Sequence, residues 1–441
     1  MSSRKEILRP FEEKMDYMND RIAAGIEANR KGFAFLNLVD EKGEAVRNAE
    51  VRITQKTHDF KYGANLFMLD EIPDRAKNEK YRKYFAEAFN IATLPFYWDT
   101  LEPEQGKPRY AKNSPKIYRR PAPDLAVEYC QANGIEPKAH CLNYATFTPG
   151  WAKGTLDWEK QCLEKRFREL SERYSKNIPM WEVTNETYWA SRNLSTFYMQ
   201  DDFVEWSFAL AENYFPANKL VINEAHSRVW NREWFQRNRS PYFMQIERAM
   251  LKGARIDSIG MQFHMFYRRE FEKEPTSVYY DPEHIYEVMD TYAQLGKPLQ
   301  ITEMTIPAYS NDPEDEEVQA RIIRNLYSIW FSHPAMEAII YWNLPDGYAY
   351  NAVPGDMTAG ENYYYGGLIR FDFTLKPAYK VIRDLFGKEW RTNLKLHTDS
   401  GSLSFKGFYG KYDLEIKVGK RKEHREIHLN KTMHNHFTIK I

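Results

Sequence analysis

The sequence lacks the features that mark several classes of protein. Its three cysteines, Cys130, Cys141 and Cys162, are too few and odd in number for a disulfide framework, so we predict free thiols. No run of about 18 apolar residues occurs, so we expect no membrane-spanning helix. The charged start, SSRKEILRPF, has no apolar segment and shows no signal peptide. The compartment stays open between the cytoplasm and secretion with a signal removed.

An excess of charge of one sign is also missing. Lysine and arginine together number 62, and so do aspartate and glutamate, so the formal net charge is zero. Such a chain has no overall field to attract nucleic acid or an anionic membrane, and we expect neither as a partner. We expect a neutral substrate and a monomer. Aromatic residues make up 15% of the chain, and their flat rings suit sugar faces as well as core packing.

The two ends of the chain differ in pattern from its middle. Residues 4–30 place apolar side chains at helical spacing and predict a helix. Residues 32–55 alternate around DEKG and predict a β-hairpin or small sheet, and residues 394–441 alternate similarly. We predict that the flanks, residues 1–57 and 389–441, form one small β accessory domain beside a main domain of residues 58–388.

The middle of the chain repeats an apolar strand followed by an amphipathic helix. From the third strand onward the gaps between strand ends are 37 to 46 residues long, and the ends fall near His140, Glu186, Asn223, Gln262, Glu303 and Trp342. Eight such units predict an α/β fold of the (β/α)8 TIM-barrel type. The competing doubly wound sheet usually carries a glycine-rich phosphate loop, and no G-x-G-x-x-G follows the first strand here.

Two of these strands end on a carboxylate. WEVTNE ends the fourth predicted strand at Glu186, and QITE ends the seventh at Glu303. Active sites of such barrels lie at the carboxyl ends of the strands, and strands three units apart form nearly facing walls. Two facing carboxylates are what glycoside hydrolysis needs. The alternative is that each glutamate only caps its strand or pairs with a lysine.

Six segments in order resemble glycoside hydrolase family 10, the endo-β-1,4-xylanases, over roughly residues 58–388. WEVTNE resembles the family's W-D-V-V-N-E, QITEM resembles I-T-E-L-D, and GMQFHM resembles G-M-Q-x-H-L. HCLNYATFTPGW resembles H-T-L-V-W-H-x-Q-T-P-x-W, and LEPEQGKPRY and LKPAY have counterparts as well. The resemblance implies a retaining double displacement with Glu186 as general acid/base and Glu303 as nucleophile, without cofactor or metal.

The resemblance also implies a set of substrate-binding residues. Asn185 would donate to the sugar 2-hydroxyl, a contact that strengthens in the transition state. His264 would hydrogen-bond to Glu303 with Gln262 beside it, and Trp342 would form the floor under the reacting sugar. His140, at the end of the third strand, completes the set on that side of the mouth.

The chain departs from the family pattern around the glycone, the part of the substrate on the non-reducing side. Leu94 and Tyr97 stand where the family has Asn and Lys, and Tyr144-Ala145 replaces Trp-His. Further on, Thr305 replaces an Asp, and Tyr350 replaces an aromatic-platform Trp. We therefore include Tyr97, Tyr144 and Tyr350 among the predicted substrate-binding residues. A changed pocket discriminates between sugars, so plain xylan is a weaker expectation than the reaction class.

We conclude from the sequence that the chain is a retaining β-glycoside hydrolase acting on xylan-like polysaccharide or oligosaccharide. Two alternatives remain: a relative acting on a non-xylan or branched β-glycoside, and a catalytically weak sugar-binding barrel. The spacing of His424 and His428 fits a zinc-binding helix, but their segment alternates like a strand, which would hold them about 13 Å apart. We predict no metal site there.

Overall fold

The computed structural model describes residues 4–189 and 195–441. The chain opens with a short 3₁₀ turn, two helices and two strands: α1 (Arg9–Glu13), α2 (Met15–Asn29), β1 (Lys31–Val39) and β2 (Ala49–Gln55). The N-terminal segment is helical as predicted, with a break at Lys14 between the two helices.

A closed barrel of eight parallel strands follows and confirms the predicted (β/α)8 fold. The strands are β3 (Lys61–Asn65), β4 (Ile91–Pro95), β5 (Glu136–His140), β6 (Met180–Asn185), β7 (Lys219–Glu224), β8 (Ser258–His264), β9 (Leu299–Thr305) and β10 (Met336–Tyr341). β10 pairs with β3 to close the ring. The strands read as near-continuous apolar runs because both faces of a parallel sheet are covered.

Helices cover the outside of the barrel and pack on its strands. They are α3 (Arg75–Ala88), α4 (Trp98–Leu101), α5 (Pro123–Asn133), α6 (Leu156–Tyr174), α7 (Phe203–Tyr214), α8 (His226–Val229), α9 (Pro241–Leu251), α10 (Lys273–Tyr279), α11 (Pro282–Ala293), α12 (Pro313–Ser332) and α13 (Pro377–Asp384). Two of these helices, α11 and α12, begin with both a side-chain cap and a proline in the first turn; ahead of α11, Asp281 accepts from the Glu283 N–H. None of the helices that the structure describes is long and apolar enough to cross a bilayer.

The C-terminal strands combine with the two N-terminal strands in two sheets. These strands are β11 (Asn393–Thr398), β12 (Ser402–Phe408), β13 (Gly410–Val418), β14 (Arg421–Leu429) and β15 (His436–Lys440). The sheet orders are β12-β1-β15 and β11-β2-β13-β14. Of the two forms predicted for residues 32–55, a hairpin or a small sheet, the hairpin is wrong, because β1 and β2 pair with C-terminal strands and not with each other. Their inward side chains, including Leu36, Val51 and Leu414, share one core.

The accessory sheets are attached to the end of the barrel where the strands begin. Arg30, at the end of α2, donates to the carbonyl oxygens of Phe331, His333 and Met336 at the end of α12 and the start of β10. These contacts leave the opposite mouth, at the carboxyl ends of the strands, uncovered by the accessory sheets. The three cysteines are buried and free, which confirms that prediction.

Candidate active site

A cleft of about 440 Å³ lies at the carboxyl ends of the barrel strands. All ten residues predicted for catalysis or substrate binding line this one cleft: Tyr97, His140, Tyr144, Asn185, Glu186, Gln262, His264, Glu303, Trp342 and Tyr350. They come from four strands, from the turns that follow strands and from loops. Because the barrel brings the ends of parallel strands to a single rim, residues up to 253 positions apart meet here.

Glu186 occupies the first position after β6, where the backbone turns sharply. Its φ of 48° lies in the left-handed region that non-glycine residues rarely adopt. Its N–H donates to the carbonyl oxygen of Asn223 at 3.1 Å, which ties this turn to the neighbouring strand. One carboxylate oxygen accepts from the Tyr144 hydroxyl at 2.7 Å, and the other accepts from Nε2 of Gln262 at 3.1 Å.

The turn after Glu186 is held by a buried carboxylate. Glu224, the last residue of β7, accepts from the Thr187 hydroxyl at 2.8 Å and from the N–H of Tyr188 at 3.3 Å. Burial raises the pKa of Glu224 to about 7. These bonds limit the motion of the backbone that carries Glu186.

Glu303 lies within β9 and is 5% exposed. One of its oxygens accepts from the side-chain amides of Asn223 and Gln262, both at 3.1 Å. The other oxygen lies 3.2 Å from Nε2 of His264. Burial raises the pKa of Glu303 to about 8, although the charge of His140 opposes that shift. The surrounding donors are the groups that stabilise this carboxylate when it is ionised.

A buried chain of alternating charge runs from Lys138 through Glu182 and His140 to Glu303. Glu182 forms ion pairs with both Lys138 and His140, and Nδ1 of His140 lies 3.9 Å from Glu303. Burial raises the pKa of Glu182, but Lys138 and His140 outweigh it and lower the pKa to about 2. Burial likewise lowers the pKa of His140, but the charge of Glu182 outweighs it and the net shift is upward. Lys138 and His140 thus both face the Glu182 carboxylate, and His140 connects this buried group to Glu303.

Gln262 connects the two candidate catalytic carboxylates. Its Nε2 lies 3.1 Å from an oxygen of Glu186 and 3.1 Å from an oxygen of Glu303. Those two oxygens are therefore at most about 6.2 Å apart, which is below the range of about 6.5–9.5 Å typical of inverting glycosidases.

Asn185 presents its amide nitrogen to the cleft. Its carbonyl oxygen accepts from Nδ2 of Asn223 at 2.8 Å and from Nε2 of Gln262 at 3.3 Å. Within the described chain its NH₂ group donates to no other residue, so both N–H groups are available to a hydroxyl acceptor.

His264 is held in its neutral form beside Glu303. Burial lowers the pKa of His264 to about 4. Nδ1 lies 3.0 Å from the Thr305 hydroxyl, so a neutral ring that accepts from Thr305 donates its Nε2–H to Glu303. Thr305, which replaces the family's Asp, therefore still orients this ring, but without a charge.

Aromatic rings line one side of the cleft. Trp342, directly after β10, lies against Phe67 and between His140 and His264, with ring centroids 5.1 to 5.9 Å apart. Tyr97 and Tyr144 continue this surface. Tyr350, from the loop after β10, is 44% exposed and forms the outer edge.

Several residues of the site were not among those predicted. Conversely, two positions at which the sequence departs from the family lie outside the cleft. Leu94 and Ala145 are buried in the hydrophobic core and do not line the cleft. Asn223 was recognised only as a strand end, although it donates to both Asn185 and Glu303. Lys138, Glu182, Arg119, Arg120 and Glu361 were not predicted. The strand pattern could have indicated Lys138 and Glu182, because residues two apart on a strand share a face. Lys138 lies two residues before His140, and Glu182 lies four before Glu186.

One cluster in the site has the composition of a metal site. Ligand atoms of His140, Glu182 and Glu303 all lie within 4.8 Å of one another. Lys138 already forms an ion pair with Glu182 and supplies a positive charge there. His424 and His428 lie on strand β14 and contact different carboxylates, those of Asp413 and Asp59 respectively. This arrangement gives them no common ligand position.

Comparison with known proteins agrees with this geometry. The family model described as Glycosyl hydrolase family 10 matches residues 61–385. The anti-sigma-I factor RsgI6 of Acetivibrio thermocellus is 24% identical over 436 residues, covering 95% of this chain, and the chain spans 48% of that protein's length. Endo-1,4-beta-xylanase B of Thermotoga neapolitana is 27% identical over 344 residues, which are 74% of this chain and 87% of that enzyme.

Solved structures show the same fold. Xylanase 10B from Thermotoga petrophila, solved in complex with xylobiose, superposes with a TM-score of 0.59 at 22% identity. The superposition covers 75% of this chain and 95% of that one. Native xylanase 10B from Thermotoga maritima gives the same score, with 96% of its chain covered. With the family model matched over most of the barrel, this chain belongs to glycosyl hydrolase family 10.

Proposed function

We propose that the chain hydrolyses β-1,4-linked xylan-type polysaccharide or oligosaccharide with retention of anomeric configuration. Glu303 acts as the nucleophile and Glu186 as the general acid/base. The observation that supports this most strongly is the shared contact with Gln262, because it keeps the two carboxylate oxygens at most about 6.2 Å apart, below the separation typical of inverting enzymes.

The first step joins Glu303 to the sugar. The ionised Glu303 oxygen attacks the anomeric carbon while Glu186 donates a proton to the departing glycosidic oxygen. The Tyr144 hydroxyl and Gln262 hold the Glu186 carboxyl from both sides, which supports a fixed direction for this transfer. In the second step Glu186 removes a proton from water, and the resulting hydroxide displaces Glu303.

Burial holds the pKa of Glu303 near 8, and the groups around it stabilise its charge once it is ionised. Asn223, Gln262 and His264 donate to it, and Nδ1 of His140 lies 3.9 Å from it. Because these donors are already in place, little reorganisation accompanies the change in charge during the reaction. Asn185 is positioned to donate to the 2-hydroxyl of the reacting sugar, where hydrogen bonds strengthen in the transition state.

The xylan assignment rests on the relatives. Several matching proteins are named xylanases, including Endo-1,4-beta-xylanase B of Thermotoga neapolitana and Beta-1,4-xylanase of Dictyoglomus thermophilum. These matches favour xylan over a non-xylan β-glycoside. A binding protein without activity is disfavoured because the carboxylate pair and all its donors are present together. The rebuilt glycone side bears on which xylans are cleaved best.

The test uses variants at Glu303. Glu303→Ala is expected to lower kcat on an aryl β-xyloside by about 10⁴-fold or more, and azide should restore turnover through an α-glycosyl azide product. Glu136→Ala serves as the matched control. Glu136 begins β5 at the opposite end of the barrel and pairs with Lys61, so its loss should leave the rate within about twofold. Full activity in Glu303→Ala, or azide rescue that yields a β-azide, contradicts the proposal.

A further inference from the structure

Two adjacent arginines line the side of the cleft where the sequence departs most from its family. Arg119 and Arg120 lie on the loop between α4 and α5, after strand β4. Arg120 lies over the ring of Tyr97, its guanidinium carbon 4.0 Å from the ring centroid. Tyr97 occupies the position of the family's glycone-binding lysine. The arginines therefore bring positive charge to a wall that has lost the charge of that lysine.

Both guanidinium groups are buried without an acidic partner. Arg119 is 2% exposed and Arg120 is 5% exposed, and neither forms an ion pair with any carboxylate in the described chain. Each donates one hydrogen bond, Arg119 to the carbonyl oxygen of Tyr348 and Arg120 to that of Arg119. The Nε of each is buried without a partner. A buried charge without a partner of opposite charge destabilises the folded protein unless another group neutralises it.

The nearby carboxylates do not supply that compensation. Asp99 attracts Arg120 electrostatically, but no oxygen of Asp99 lies within ion-pairing distance of it. Glu361, another carboxylate that lines the cleft, accepts from Nδ2 of Asn343 at 3.3 Å and forms no ion pair with either arginine within the described chain. Burial lowers the pKa of Arg120 to about 10, so this guanidinium keeps its charge at neutral pH.

The loop that carries the pair is held in place by other contacts. Arg109 donates to the carbonyl oxygens of Thr100, Pro115 and Arg120, which fixes the loop internally. The Tyr118 hydroxyl donates to the carbonyl oxygen of Ala349 at 3.3 Å and ties it to the loop after β10. Arg119 has a φ of 62°, an uncommon backbone state for a residue of this type. The arginines therefore keep their places without a salt bridge of their own.

Aromatic rings orient the guanidinium planes. Arg120 contacts Phe147 and Tyr350 as well as Tyr97, with its guanidinium carbon 5.5 to 5.6 Å from the first two rings. Arg119 lies 5.5 Å from the ring of Phe67. With rings against the flat faces and Nη1 of each arginine hydrogen-bonded, the Nη2 groups, which make no hydrogen bond within the described chain, remain for a ligand. Such an arrangement suits a planar anion, because the guanidinium edge matches the two oxygens of a carboxylate.

We propose that Arg119 and Arg120 form a subsite for the carboxylate of an acidic sugar on the glycone side of the cleft. This inference rests on the proposed hydrolysis of xylan-type β-glycosides and names a preferred class of substrate, chains that carry a uronic acid unit. The carboxylate supplies the negative charge that the two buried guanidinium groups lack. A neutral xylan chain leaves that charge uncompensated.

The test compares substrates that differ only in charge. One is a β-1,4-xylo-oligosaccharide with a glucuronic acid branch on the glycone side, and the other is the same compound with the carboxyl reduced to a hydroxymethyl group. The wild type is expected to show kcat/KM about 10-fold or more higher for the acidic compound. Salt should reduce this preference.

Variants assign the preference to the arginines. Arg120→Gln and Arg119→Gln should each lose most of the preference, with a loss of about 10-fold on the acidic compound and under about threefold on the reduced one. Arg120→Lys keeps the charge and should retain part of the preference. Arg75→Gln is the control, because Arg75 is an exposed arginine whose one ion-pair partner among the described residues is Glu79 on α3. Thermal unfolding of each variant checks that it is folded.

The outcomes separate this inference from the proposed function. Equal kcat/KM for both compounds in the wild type, or equal losses on both in Arg120→Gln, overturns the carboxylate subsite. If the wild type cleaves neither compound, the proposed function fails. Calorimetric measurement of how tightly the wild type binds each compound then tests whether the carboxylate subsite exists. Tighter binding of the acidic compound by about 10-fold supports it, and equal affinity overturns it.

Discussion

Replacing Glu303 with glutamine should stabilise the protein in a pH-dependent way. Burial raises the pKa of this carboxyl from 4.5 to about 8. Below about pH 4.5 the group is protonated in both the folded and the unfolded chain, and it has no effect on stability. Between about pH 4.5 and 8 the unfolded chain releases the proton while the folded protein keeps it, so stability falls as pH rises. Glutamine carries no such proton and escapes this loss.

The size of the stability change follows from how far the pKa of Glu303 is raised. Each pH unit within this window changes the free energy of unfolding by about 1.4 kcal/mol, so the loss between pH 5 and 7 is about 3 kcal/mol. For 441 residues the entropy of unfolding is about 0.9 kcal/mol/K, so this loss corresponds to about 3 °C in Tm. The amide also fits the site, because His264 can exchange tautomers and accept from the new NH₂ group while it donates to Thr305.

The assay is thermal unfolding of the wild type and Glu303→Gln at pH 5, 6 and 7, followed by circular dichroism at one scan rate. A fixed scan rate is needed because a chain of this size can unfold irreversibly. The difference in Tm, variant minus wild type, should grow by about 3 °C from pH 5 to pH 7. A difference that stays constant over this range, or that shrinks, refutes the reasoning from burial.

Three further predictions concern the acid, the charge network and the accessory sheets. Glu186→Ala should lower kcat/KM far more for oligosaccharides than for aryl glycosides with good leaving groups; equal losses on both would remove the acid role. Glu182→Gln should lower the free energy of unfolding, measured with denaturant, by about 3–5 kcal/mol, because it leaves Lys138 buried without its partner. Adding Lys138→Met should recover part of this loss. Additive losses from the two substitutions would contradict the Lys138–Glu182 ion pair. A chain that ends at residue 392 should lose folded β1 and β2, which pair with C-terminal strands, and hydrogen exchange at residues 31–55 should show no protection. Retained protection there would mean that these strands fold without their partners.

The barrel and its carboxylate pair could be predicted because periodicity and strand ends carry that information. WEVTNE and QITE place Glu186 and Glu303 at strand ends, and barrel closure brings such ends to one rim. The accessory sheets could be predicted as β structure, but not their pairing. Residues 32–55 look like a hairpin because alternation is a local signal, whereas β1 pairs with β12, more than 360 residues away.

The glycone wall was beyond sequence reasoning for a different reason. Arg119 and Arg120 lie in a loop without periodicity, and their burial depends on packing against Tyr97 and the loop after β10. Zero net charge suggested a neutral substrate, but it averages over the whole chain and says nothing about two uncompensated charges in one cleft. Leu94 stands where the family has a polar residue, but its side chain lies in the core and cannot show what occupies the glycone wall instead.

The most direct test of the central claim is to identify the residue that bonds to the sugar. A 2-deoxy-2-fluoro β-xylobioside with a good leaving group should form a covalent glycosyl-enzyme that accumulates because its hydrolysis is slow. Peptide mass spectrometry of the inactivated protein should then find the sugar on Glu303. A label on any other residue, or hydrolysis of this reagent without a covalent intermediate, contradicts a double displacement at Glu303.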